Sequence, residues 1–124
     1  MALLLASACG GGSDSEPEPI PVACTASVDP GILIRVTDNA SGNPISCGAR
    51  ALVTAGTYSE TVDNPPGPGC LDALMLSAAF ERPDTYAVTV SKAGYLDFTM
   101  NDVVVTAGVC HVITVTLEAR LSSM

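Results

Sequence analysis

Between Thr85 and Ser91 the chain alternates residue by residue. Tyr86, Val88 and Val90 fall on one face, and Ala87, Thr89 and Ser91 on the other. A period of two is that of an extended strand with one side buried. The turn Arg82-Pro83-Asp84-Thr85 leads into this strand and Gly94 ends it. The pattern predicts that the other strands of the domain are arranged around it.

The same period recurs on both sides. Gly31 to Thr37 predicts a first strand with Ile32, Ile34 and Val36 inward. Asp38 to Pro44 is dense in turn-forming residues. Ile45 to Thr54 predicts a second strand, interrupted near Gly48, with Ala49, Ala51 and Val53 on one face. After Ala55-Gly56 comes a short strand from Thr57 to Val62, where Tyr58, Glu60 and Val62 share a face. A Glu there predicts a face only partly covered. Asp63 to Gly69 holds three Pro and two Gly and predicts an exposed loop. Leu71 to Phe80 permits a helix by content, but alternation and the Pro83 turn after it favour a strand. Leu96 to Met100, Asp102 to Thr106 and Cys110 to Ala119 follow as extended segments. In the last, Ile113, Val115 and Leu117 are expected on one face. Seven to eight short strands with turns at near-regular spacing indicate an all-β, two-sheet sandwich. No helical pattern intervenes that would suggest an α/β fold.

Composition sets the limits of the core. About 100 residues allow a single small domain. The chain has no Trp, three Tyr and two Phe, so its core must be mostly aliphatic. The net charge of −8, with only five Lys and Arg, argues against nucleic acid and against electrostatic docking on anionic lipid. Five Cys is a high count for this length. Zinc would call for Cys-x-x-Cys or Cys-x-x-His pairs, and neither occurs. Cys24, Cys47, Cys70 and Cys110 are widely spaced, which suits disulfides in an oxidising compartment.

Cys9 has a different setting. Met1 to Ala8 is a short apolar run ending in Ser7-Ala8, and Cys9-Gly10-Gly11-Gly12 follows. This resembles the end of a bacterial lipoprotein signal, which is cut before a Cys that then carries acyl chains. Ala6 stands where that family usually has Leu, and no basic residue precedes the apolar run. The expectation is a translation start upstream of Met1. On this reading residues 1–8 are a signal remnant and Cys9 is the lipidation site. Residues 9–23, rich in Gly, Ser, Glu and Pro, are a disordered tether with too little to bury. Gly10 rather than Asp after the Cys resembles an outer-membrane address. The domain proper is then 24–121.

A second resemblance covers Ile32 to Leu117. Ile34-x-Val36-x-Asp38, Ser41-Gly42-x-Pro44-Ile45 and Ala49-x-Ala51-x-Val53 resemble the start of a carboxypeptidase regulatory-like domain. Pro83-Asp84-Thr85-Tyr86-x-Val88-x-Val90-x-Lys92-x-Gly94-Tyr95 resembles its central hairpin, with Pro-Asp replacing the usual Pro-Gly. Val103-x-Val105 and Val112 to Leu117 resemble its closing strands. The resemblance implies a prealbumin-like (transthyretin-like) Greek-key sandwich without a catalytic centre. In that topology the first and last strands lie side by side and parallel. It therefore implies that Cys24 pairs with Cys110, and Cys47 with Cys70.

Candidate chemistry is sparse. His111 is the only His, and is expected to be a strand-end residue with a hydrogen-bonded ring rather than a metal ligand or base. Intradiol dioxygenases share the architecture but need two His and two Tyr on iron. Transthyretin-related hydroxyisourate hydrolases need several His. No Ser lies in a Gly-x-Ser-x-Gly turn. Asp38, Asp63, Asp72, Asp84, Asp97 and Asp102 show no EF-hand spacing. Tyr58 and Tyr95 are expected to be packed at strand ends. No catalytic residue, cofactor or metal is expected. The expected function is a non-enzymatic, lipid-anchored envelope protein, held to the membrane through Cys9 and binding a protein or glycan. The alternative is a periplasmic carrier of a small molecule or metal on the same fold.

Overall fold

The computed structural model describes residues 24–124. The expected signal remnant, the tether and Cys9 lie outside the described residues. Within them the chain forms eight strands and no helix. These are β1 (Ile32–Asp38), β2 (Arg50–Ala55), β3 (Tyr58–Asp63), β4 (Leu76–Ala78), β5 (Asp84–Ser91), β6 (Phe98–Ala107), β7 (Val112–Ile113) and β8 (Val115–Leu121). One sheet has the order β4-β1-β8 and the other β3-β2-β5-β6-β7. The protein is an all-β, two-sheet sandwich. β1 and β8 are parallel, with Ile32 opposite Val115 and Asp38 opposite Leu121. All other strand pairs are antiparallel.

Alternation places the core where the sequence predicts it. Ile32, Ile34 and Val36 of β1 are at most 1% exposed, as are Tyr86, Val88 and Val90 of β5. Ala49, Ala51 and Val53 are fully buried. Leu117, Ala119 and Leu121 extend the core along β8. Each fully buried Val, Leu or Ile side chain contributes roughly 1.5–3 kcal/mol relative to exposure. Tyr86 is the largest side chain in this core. Its ring meets that of Tyr58 edge to face, with centroids 6.1 Å apart.

The departures from the expected strands cluster where the chain changes sheet. Ile45 does not open a strand running to Thr54. Its N–H donates to Val36 of β1 at 2.9 Å, while β2 of the opposite sheet starts only at Arg50. The chain crosses between layers over Ser46 to Ala49, and Gly48 turns it with φ of 82°. Cys110 to Ala119 likewise divides in two. Val112 and Ile113 pair with β6, and Val115 onward pairs with β1. The crossing at Thr114 shifts the alternation, so Val112 is buried and Ile113 is 58% exposed, the reverse of expectation.

Two other expectations change. Of Leu71 to Phe80, only Leu76–Ala78 is strand. Leu71 to Leu74 is a turn closed by a 3.1 Å backbone hydrogen bond, and Ala79 ends β4 in the left-handed region with φ of 56°. Leu96 to Met100 and Asp102 to Thr106 belong to one strand from Phe98. Tyr86 opposes Val103 but Val88 opposes Met100, so β6 carries an extra residue. Asp102, with φ of 57°, accommodates it as a bulge.

Candidate functional site

The strand register gives the sandwich two unlike ends. One carries the starts of β2 and the ends of β3 and β5, with the Cys47–Cys70 disulfide. The other carries the starts of β1, β5 and β8, with the Cys24–Cys110 disulfide. These are the pairs that the family resemblance implies, and their Cα atoms lie 6.1 and 5.3 Å apart respectively.

At the Cys47–Cys70 end, two buried polar side chains fix the loops. Ser46 is fully buried and Asn64 is 7% exposed. The Asn64 amide donates to Ser46 Oγ at 2.9 Å and to the Leu71 carbonyl at 3.0 Å. Ser46 Oγ donates to the Asp72 carbonyl at 3.0 Å. The Asp72 carboxylate in turn accepts the Cys47 N–H at 3.0 Å. The buried Asn64 amide N–H groups and the Ser46 hydroxyl, bonded to one another and to the Leu71 and Asp72 carbonyls, hold the Pro-rich loop against the crossing segment.

This scaffold supports one wall of an open cleft of about 430 Å³. Arg50 and Asp63 face each other at its rim, 3.5 Å apart and both well exposed. Such a surface pair adds about 0–1 kcal/mol to stability. It leaves both groups able to exchange partners. Lys92 lines the cleft and donates to the Cys47 carbonyl. Tyr95, Asp97 and Asn64 complete the polar lining. Tyr95 is half-buried and packs on the core, which fixes its ring. Its backbone pairs with Ser123 in an isolated bridge.

The opposite end gathers titratable groups. Glu81, with φ of 50°, turns its carboxylate to the N–H of Asp29 at 2.9 Å and of Val112 at 3.0 Å. His111 Nδ1 bonds to the same carboxylate, and its Nε2 lies 3.0 Å from Thr25 Oγ1. The Asp29 N–H above all, then the His111 ring and the Val112 N–H, hold the Glu81 carboxyl below its ordinary range against the opposing effect of burial. The order Thr25–His111–Glu81 is that of an acyl-transfer triad. Acyl transfer also needs donors for an oxyanion, and the nearby N–H groups of Asp29 and Val112 are committed to Glu81.

The expected hydrogen-bonded His111 is observed. Tyr58 is packed, with its hydroxyl donating to Glu60 at 2.7 Å and the Arg82 guanidinium 3.7 Å from its ring centre. The half-covered face expected from Glu60 is also observed: Tyr58, Glu60 and Val62 are each partly exposed. Sequence reasoning did not bring Asp29 and Glu81 to His111, nor Arg50, Asp63, Lys92 and Asp97 to one cleft. The members of each set come from separate turns, and only strand register brings them together. No family model matches this chain, and no curated protein matches it either.

Proposed function

We propose that this protein is a non-enzymatic, lipid-anchored binding module of the bacterial cell envelope, and that its cleft takes a polyhydroxylated ligand, a glycan. The observation that carries the ligand is the mixed charge of the cleft. Arg50 and Lys92 stand beside Asp63 and Asp97. An anionic ligand is opposed by the carboxylates and a cationic one by the bases. Sugar hydroxyls both donate and accept, which suits the carboxylates and the cations together. Tyr95 adds an aromatic body with a polar tip, suited to a ligand with one apolar face.

A flat protein-binding face has less support. On the outer face of the five-stranded sheet, Leu52 is separated from Val104 and Ile113 by Thr89 and Thr99. No broad apolar patch forms from them. Two disulfides support an oxidising compartment. The parallel pairing of β1 and β8 supports kinship with carboxypeptidase regulatory-like, prealbumin-like sandwiches. An outer-membrane location rests on the Cys9-Gly10 sequence.

Two experiments test this reading. A fatty-acid probe should label the wild-type protein in cells and not Cys9→Ser; equal labelling would remove the anchor. Calorimetry against cell-wall and capsular oligosaccharides should show binding that Asp97→Ala weakens about tenfold or more, the loss of a hydrogen bond to a charged group, and that Tyr95→Ala weakens through loss of its aromatic face. Binding indifferent to both changes would place the ligand elsewhere. A carrier of a small polar solute is the second reading, favoured by a volume within the range of small-molecule pockets. A monosaccharide binding as tightly as its oligomer would select it.

A further inference from the structure

We infer that Asp29, Glu81 and His111 form a site for one divalent cation of borderline character, of which Zn²⁺ is the type. One ligand atom from each residue lies within 4.8 Å of the other two, and all three residues are half-buried. In Zn²⁺ coordination the ligand atoms approach to about 3.3 Å at bond lengths of about 2.0–2.1 Å. Closing the set would require Asp29 to rotate inward and His111 Nδ1 to draw back from its direct bond to Glu81.

The surroundings orient these ligands. Glu81 is aimed by the N–H groups of Asp29 and Val112. The Glu81 N–H donates back to the Asp29 carbonyl at 3.0 Å, which locks the two residues reciprocally. His111 Nε2 is held by Thr25, which turns Nδ1 toward the carboxylates. Partners of this kind are what fix metal ligands. The Asp29 carboxylate makes only a 3.5 Å contact with Ser27 and keeps its coordinating capacity. Glu81 also sits in left-handed backbone, which a non-glycine residue occupies at a cost and which clusters at ligand sites.

The donor set selects the ion. One imidazole and two carboxylates, with water in a fourth position, match an open zinc site. Calcium takes six to eight oxygens, more than these residues offer. The ion takes the place between His111 and Glu81 where they now bond directly. Bound there, it joins the segment before β1 to the turn before β5 and to the β6–β7 connection.

The test uses the full chain carrying Cys9→Ser, which removes the one thiol outside the two disulfides. After chelation and dialysis it is titrated with ZnCl₂ in a calorimeter. One equivalent should bind saturably, with no uptake of CaCl₂ under the same conditions. Asp29→Asn should weaken Zn²⁺ binding by about tenfold or more, and Thr25→Ala by about tenfold through loss of ring orientation. His111→Ala should abolish it. Should His111→Ala fail to fold, Asp29→Asn decides alone, because that carboxylate lies outside the bonds that hold Glu81. Absence of saturable uptake, or unchanged affinity in Asp29→Asn, overturns the proposal.

Discussion

The phenol of Tyr86 donates a 2.6 Å hydrogen bond to the carbonyl of Arg82, four residues earlier in the chain. The largest side chain of the core thereby closes the turn that starts its own strand. Arg82 Nη1 reaches back to the Tyr86 hydroxyl at 3.1 Å and to Asp84 at 3.0 Å. Tyr86→Phe keeps the ring and strands the Arg82 carbonyl. It should lower unfolding stability by about 1–2 kcal/mol. Urea titration should show a lower midpoint at unchanged slope, and an unchanged midpoint would mean that water takes over the bond.

The disulfides should differ in weight. The Cys24–Cys110 bridge spans 86 residues and the Cys47–Cys70 bridge 23. By loop closure alone these contribute at most about 4.6 and 3.4 kcal/mol. Paired Cys→Ser variants, compared by denaturant unfolding, should therefore lose more from the long loop. The opposite order would place the main effect of Cys47–Cys70 in the native loops it ties rather than in the unfolded chain.

Tyr58 should ionise late. Its hydrogen bond to Glu60, then burial and the Glu60 charge, push the phenol up to about 12. An unfolded Tyr titrates near 10. The raised folded value means this bond adds stability in full below about pH 10 and loses it as pH rises through about 12. Absorbance titration should show Tyr58 contributing a step near 12. Glu60→Gln, which keeps an acceptor and removes the charge, should move the step toward 10. A late step untouched by Glu60→Gln would assign the shift to burial.

Asn64 joins stability to the cleft. Asn64→Ala removes two bonds made by a nearly buried amide, and should cost about 1–3 kcal/mol. Amide exchange should quicken at Gly48 and Ala49, whose N–H groups donate to the carbonyls of Asn64 and Ser46 respectively. Quickened exchange confined to the far end of the sandwich would contradict this coupling.

Where one strand stays in one sheet, the sequence was a sufficient guide. β1, β3 and β5 follow from alternation because burying one face decides the side chain at every second position. Alternation is blind to which sheet a residue belongs to. Ile45 to Thr54, with only a local interruption expected near Gly48, and Cys110 to Ala119 each read as one strand of one sheet because the apolar rhythm continues across a change of layer. The hydrogen bonds of Ile45 to β1 and Thr114 to the Pro30 carbonyl mark those changes; Gly48 signals a break at the first but not a change of sheet, and the second leaves no local signature. The cluster around Glu81 was hidden for a related reason. A Glu before Pro83 reads as turn chemistry, and only the left-handed backbone at that position turns it toward His111.

The side-by-side run of β1 and β8 also governs how the molecule comes into being. In chain order, the centre of the three-stranded sheet is the first of the described strands and its parallel neighbour is the last of them. Without β8, Ile32 to Asp38 pair only with the three residues of β4 and with the Asn43 to Ile45 segment that follows their own turn. Contacts so distant along the chain make for slow folding. The three-stranded sheet is therefore closed only by a pairing between the two most distant of the described strands, so its assembly waits on the whole domain rather than on any local hairpin.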